Sequence, residues 1–211
     1  MNVKFKQLEI QNFKSVGELV VVDFEHLTGL NYIFGTNNDY PSSRNGCGKS
    51  AIFLDALVFA LYGRTMKNTN NQYLSNRYCD KKLKTYVKLY FEVDGTLYTS
   101  ECSTKPYVKY ISMTLQQYDK DKDDWIDLTQ SSVIKTRQYI AETILNCSFD
   151  LFKSSIVISA SDCLNFYEGM TKQQKRSYVE NIFNLNCFGI MFGIIKSDLN
   201  DLKKEITYNN N

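Results

Sequence analysis

Proline, histidine and tryptophan are nearly missing from this chain: its 211 residues hold two Pro, one His and one Trp. With so little proline, and with 43% hydrophobic and 23% charged residues, the composition is that of a packed protein and excludes wholesale disorder. The length suits one substantial domain or two small ones. A Ser-His-Asp or Cys-His apparatus would have to be built on His26, which has no ligand residue nearby and reads as a surface or turn histidine. The six cysteines (Cys47, Cys79, Cys102, Cys147, Cys163 and Cys187) contain no C-x-x-C pair, which excludes the usual zinc spacing and fits reduced thiols. No apolar run is long enough to span a membrane, and the opening M-N-V-K-F-K-Q-L-E-I lacks the apolar core of a signal peptide. The expectation is a soluble cytoplasmic protein with no membrane partner. Charge of one sign is missing too: 25 basic residues face 23 acidic ones, a net +2, so any nucleic acid must be met by a local patch.

What is present begins with strands. Residues 3–10 alternate roughly, residues 19–24 are dense in β-branched side chains, and residues 30–34 read as a third strand ending at Gly35. A polar, turn-forming stretch (residues 36–44) passes into N-G-C-G-K-S and then into residues 51–62, apolar on nearly every face. That run predicts a buried helix stopped by Gly63. Residues 64–82 read as loop. Residues 85–93 and 97–101, joined through Asp94-Gly95, predict a hairpin. Further strands are expected over residues 107–118 and 125–128, and a helix over 132–145, so the middle of the chain reads as an antiparallel subdomain inserted after the buried helix. Residues 156–158 read as a strand core. Thr171 with Gln174 predicts a capping box opening a helix. Phe188, Phe192, Ile195, Leu199, Leu202 and Ile206 then recur at steps of four and three, a heptad seam or one apolar face of a terminal helix.

The strongest chemical signal is strand, polar loop, Gly-Lys-Ser, buried helix. Glycines free consecutive backbone N–H groups to wrap a β-phosphate, the helix start adds its positive dipole end, the Lys reaches the β/γ oxygens and the Ser hydroxyl ligates Mg²⁺. Gly46, Gly48, Lys49 and Ser50 stand in those roles, with Ser50 as the metal ligand. The full pattern asks for glycine at position 43, which is Ser43 here. No N-K-x-D motif for reading guanine follows, so ATP with Mg²⁺ is the expected ligand. No catalytic residue is assigned.

The chain resembles the amino-terminal lobe of SbcC-like, SMC-related ATPases of double-strand-break repair and phage recombination. The residues that carry the resemblance are I-Q-N-F-K-S (residues 10–15), N-G-C-G-K-S with L-D-A-L-V-F-A-L-Y-G (residues 54–63), the strand pair around Asp94-Gly95, and F-K-S-S-I-V-I (residues 152–158). The resemblance implies an α/β fold: an ABC-type P-loop head lobe over residues 1–187 with an antiparallel β subdomain, and the start of a coiled coil over 188–211. It implies that Lys14 touches nucleotide phosphates, that Asn45 begins the phosphate grip, that Cys47 contributes mainly backbone, that Ala51 supplies the last N–H, and that Ser75 and Asn76 lie near the nucleotide. Implied partners are an SbcD-type nuclease, a carboxy-terminal lobe of the same or a split protein, a second copy joined through ATP, and DNA, in a bacterial or phage-infected cell. Lys81, Lys82, Lys84, Lys105 and Lys109, with Tyr107 and Tyr110 among them, are the candidate DNA patch; as separate residues they are solvated charges on a sheet edge.

The chain departs from the family in two places. Gly35 and Asn45 are ten apart where the family's G-x-N-G has them two apart, so eight residues are inserted and are expected to bulge outward. The family's Q-loop Gln aligns near Ser159-Ala160-Ser161, where there is no Gln; Ser159, Ser161 and Asp162 are the candidate substitutes. The family's signature motif and Walker B acid belong to a carboxy-terminal lobe, so this chain reads as half a head. The alternative is a structural fragment without a competent site, or another SMC- or RecF-like P-loop protein.

Overall fold

The computed structural model describes residues 1–38, 40, 43–44, 46–80, 82–153, 170–183 and 185–209. They fall into two compact units, Met1–Phe149 and Asp150–Asn211.

The first unit is built on one six-stranded antiparallel sheet of order β2-β1-β3-β4-β5-β6. The strands are β1 (Val3–Gln11), β2 (Val20–Asp23), β3 (Thr85–Val93), β4 (Thr96–Thr104), β5 (Ile111–Asp119) and β6 (Asp124–Asp127). The expected antiparallel strands of the middle of the chain, β3 to β6, are consecutive neighbours in this sheet and join β1 and β2 at its other side. β1 pairs with β3 along its length, from Val3 opposite Val93 to Gln11 opposite Tyr86, with a bulge between Phe5 and Gln7. That pairing joins distant parts of the chain and leaves no local trace in the sequence.

β3 shows why the sheet has two faces. Its burial alternates without exception: Thr85, Val87, Leu89, Phe91 and Val93 point inward, while Tyr86, Lys88, Tyr90 and Glu92 point to the other face. The turn to β4 has Asp94 at φ 47° and Gly95 at φ 87°, the pair of left-handed residues that a two-residue hairpin loop demands. On the inner face lies the expected buried helix, a π-helical stretch Ala51–Ala56 passing into α1 (Leu57–Tyr62), every residue of which is buried. The Ser100 hydroxyl donates to the Ala60 carbonyl at 2.7 Å, a buried tie from β4 to the helix. Gly63, at φ 56°, ends α1 by donating its N–H to the Phe59 carbonyl. α2 (Val133–Gln138) continues as a π-helical stretch Tyr139–Ile144, and its Arg137 guanidinium donates to the Gly63 carbonyl at 3.1 Å. A single turn, α3 (Phe149–Leu151), follows.

Residues 30–34 are not a strand. Leu30, Tyr32 and Phe34 are 102%, 81% and 72% exposed, and no strand among the described residues lies beside them. The apolar pattern is there, but strand geometry needs a neighbour to accept its hydrogen bonds.

In the second unit, Thr171 forms the expected capping box. Its N–H donates to Gln174 Oε1 at 2.9 Å, and the Gln174 N–H donates back to Thr171 Oγ1 at 3.3 Å. Helix α4 (Lys172–Ile182) follows, then α5 (Asn186–Asn209), which carries the heptad positions on one continuous helix. The expected strand core at residues 156–158 lies outside the described residues.

Candidate nucleotide-binding site

The phosphate loop lies where the chain passes into the helix that begins at Ala51. Gly46 and Gly48 both take left-handed torsions, φ 81° and 79°, the conformation that turns successive N–H groups toward one side of a loop. At position 48 a Cβ would stand 2.8 Å from Ser15 Oγ, so space as well as torsion requires glycine. Helical bonding starts with Ile52 N–H donating to the Gly48 carbonyl at 3.1 Å. The N–H groups of Lys49, Ser50 and Ala51 therefore lack a helical acceptor and point out of the helix start. The Ser50 hydroxyl makes no capping hydrogen bond. Lys49 Nζ donates to the Arg44 carbonyl at 2.6 Å, and Cys47 Sγ donates to the same carbonyl at 3.3 Å.

The described residues of the insertion make contacts with one another and with the phosphate loop. A Cβ at Gly35 would be 2.7 Å from Cys47 Cβ, and one at Gly46 would be 3.3 Å from Asn37 Nδ2. Tyr40 N–H donates to Asn37 Oδ1, and Ser43 N–H donates to the Tyr40 carbonyl. Gly35 and Asn37, where the insertion begins, thus lie against Cys47 and Gly46 of the phosphate loop.

Behind the loop sits the turn after β1, and each residue of its N-F-K-S has a distinct partner. Asn12 is fully buried at φ 50°. Its Nδ2 donates to the Leu83 carbonyl at 2.7 Å, and its Oδ1 accepts from the Asn76 N–H at 3.0 Å. The Phe13 ring packs 5.2 Å from that of Phe59 on α1. Lys14, at φ 52°, donates its N–H to the Leu74 carbonyl, and its Nζ lies 2.6 Å from Asp55 Oδ2. Ser15 closes on Gly48. Ser75 bridges Phe13 and shares a 2.7 Å hydrogen bond with Thr85. The turn therefore joins the phosphate loop, its helix and the 74–83 loop.

A family profile described as an AAA domain matches residues 7–210. The chain belongs to this family. No curated protein sequence matches it. As an AAA domain of this kind it is a P-loop ATPase of the SMC-related type, and its mixed α/β fold with the six-stranded antiparallel sheet is that of an ABC/P-loop ATPase lobe.

The residues of this AAA domain fit a magnesium triphosphate. Two left-handed glycines form a cradle that a Cβ would fill, Lys49 stands at its mouth, and Ser50 keeps an uncommitted hydroxyl. No cluster of three metal-ligating side chains exists among the described residues. Gly46, Cys47, Gly48, Lys49, Ser50 and Ala51 form one continuous loop and helix start. Lys14, Ser75 and Asn76 belong to the layer behind it. Asn45, Lys81 and the Q-loop candidates Ser159, Ser161 and Asp162 lie outside the described residues. His26 is 87% exposed and 3.6 Å from Asp23, as a surface histidine should be. Of the lysine patch, Lys82, Lys84 and Lys105 line a cleft of about 900 Å³ with Ser103, Thr104 and Tyr110, and no acidic side chain among the described residues lines it. Lys84 is paired with Glu101 at 2.7 Å. No helix among the described residues is long and apolar enough to cross a membrane.

Sequence reasoning missed Asp55, Asn12 and Ser15. For Asp55 a signal existed: it is the single charged residue between Ala51 and Gly63 in an otherwise apolar run.

Proposed function

We propose that this AAA domain is the ATP-binding lobe of an SbcC-like recombination or repair ATPase of the phage type. It takes Mg-ATP in the loop from Gly46 to Ala51, dimerises around that nucleotide, binds DNA ends and regulates an SbcD-type nuclease. The observation that carries the nucleotide reading is the pair Gly46 and Gly48 at φ 81° and 79° immediately ahead of a helix whose first N–H groups lack helical acceptors. In this reading the loop N–H groups and Lys49 hold the phosphates, Lys14 approaches them from the turn behind, and Ser50 ligates the metal. The bound nucleotide supplies the γ-phosphate, whose charge distinguishes open from closed heads.

The exposed apolar segment at Leu30, Tyr32 and Phe34 supports a carboxy-terminal lobe as partner, because a strand supplied from there would give this segment its missing neighbour. α5 is the root of a coiled coil in the same reading. The cleft that holds Lys82, Lys84 and Lys105 supports a local contact with DNA. A second reading, a structural lobe that keeps the fold without turnover, is favoured by Ser43 and by the missing Gln near Ser159-Ala160-Ser161.

Calorimetric titration and melting with Mg-ATP test the proposal. Binding should raise stability by about 2.7 kcal/mol at a hundredfold excess over Kd, and Lys49→Ala should remove that rise while leaving the unliganded melting temperature within a few degrees. If Mg-ATP produces no heat and no shift, the nucleotide reading fails. If it binds without turnover when a carboxy-terminal lobe is added, the structural reading holds.

A further inference from the structure

Asp55 is where the buried helix departs from its own composition. It is 9% exposed, and both its oxygens are engaged: Oδ2 with Lys14 Nζ at 2.6 Å and Oδ1 with the Met66 N–H at 3.0 Å. Lys14's side chain is only 20% exposed, and its backbone is fixed by the left-handed torsion and by the 2.6 Å bond to the Leu74 carbonyl. Only its side chain is free to turn. The next residue, Ser15, touches the phosphate loop at Gly48, while Asp55 lies five residues beyond Ser50, more than one turn into the helix. Lys14 is thus anchored next to the residue that touches the phosphate loop, while its ammonium is held by Asp55 on the helix and, among the described residues, makes no hydrogen bond to the loop.

We propose that Asp55 is a positioning residue that holds the Lys14 ammonium off the phosphate loop, and that a bound triphosphate draws this ammonium from the carboxylate, so that Asp55 sets how tightly the site holds its nucleotide. The inference rests on the nucleotide reading above and adds to it the regulation of the same site. Its physical basis is competition. A partly buried ammonium needs an anionic partner, and two are on offer, a carboxylate in the empty site and phosphate oxygens in the filled one. Apparent affinity is then reduced by the fraction of molecules in which Lys14 is committed to Asp55. The Met66 bond lets the carboxylate keep one donor after Lys14 leaves.

Asp55→Asn tests this, because the amide oxygen keeps an acceptor for Met66 N–H and loses the charge that retains Lys14. In the whole chain the unliganded melting temperature should fall, while the Kd for Mg-ATP should tighten by about three- to tenfold. In a Lys14→Met background the same substitution should change Kd by less than about twofold. A pair with a merely structural role predicts that Asp55→Asn weakens ATP binding along with stability, and that result overturns the proposal. A measurement on the natural sequence stands beside it, independent of how the variants fold. The Lys14 side-chain NMR signal, assigned by its loss in Lys14→Arg, should shift on adding Mg-ATP; a signal that stays in place also overturns the proposal. Wild-type binding that disappears in Lys49→Ala shows that the underlying nucleotide reading holds even where these outcomes fail.

Discussion

Gly48 carries two constraints at once, a torsion of 79° and a neighbour, Ser15 Oγ, 2.8 Å from where a Cβ would stand. Either alone strains a substitution; together they leave alanine no relaxed position unless the turn behind the loop moves. Gly48→Ala should therefore cost about 1–3 kcal/mol of stability and abolish Mg-ATP binding, measured by denaturant unfolding and by calorimetry. Retained binding with unchanged stability would show that Ser15 and the loop are not coupled. The glycines, Lys49 and Ser50 are legible in the sequence because their chemistry is local: one short run of consecutive residues defines the loop. The supporting layer is not. Lys14 meets Asp55 across 41 residues, and Asn12 meets Leu83 across 71, so no spacing rule pairs them. A charge inside an apolar helix is the one trace such a contact leaves, since a buried carboxylate requires a partner.

At the scale of elements, what is legible is whatever repeats over a short stretch of chain. β3's alternation, the Asp-Gly turn, the all-apolar helix with its glycine stop and the Thr171 capping box all follow from nearest-neighbour periodicity. Residues 30–34 fail because the same apolar alternation is neutral about whether a second strand is present. The sheet's inner face also shapes its titration. Cys102 on β4 is fully buried, and burial pushes its thiol from 9.0 up to about 12. A raised pKa in the folded state means that the unfolded chain gives up this proton first. The stability it contributes is complete below about pH 9 and is lost as pH rises toward about 12. Cys102→Ala should flatten the alkaline limb of the stability curve across that window, by up to about 1.4 kcal/mol per pH unit, at the price of a small cavity. Urea unfolding of both proteins at neutral pH and at about pH 9 and 10.5 measures it; parallel curves would mean that the thiol's burial is not felt. The same burial keeps Cys102 unreactive toward thiol reagents in the native protein.

For the whole molecule, charge decides how a polyanion is met. With a net charge of +2 the chain has no field to hold DNA non-specifically, so contact has to come from a place where cations gather without acids. The cleft gathers Lys82, Lys84 and Lys105 with no acidic side chain in its described lining. Some basic side chains outside the cleft are neutralised in ion pairs, Lys6 with Glu25 and Glu92 and Lys14 with Asp55. Lys84 itself is shared with Glu101, so Lys82 and Lys105 are the stronger candidates for phosphate contact. DNA affinity should fall steeply with salt. Replacing all three cleft lysines with glutamine should lower the slope of log K against log salt by about 0.9 for each duplex phosphate that is no longer neutralised. Lys203 and Lys204 on α5 serve as the control, since their replacement removes two charges from the second unit against three from the cleft. If the α5 pair lowers the slope and the cleft lysines do not, DNA is held by the second unit, and the cleft is an ordinary solvated edge of the sheet.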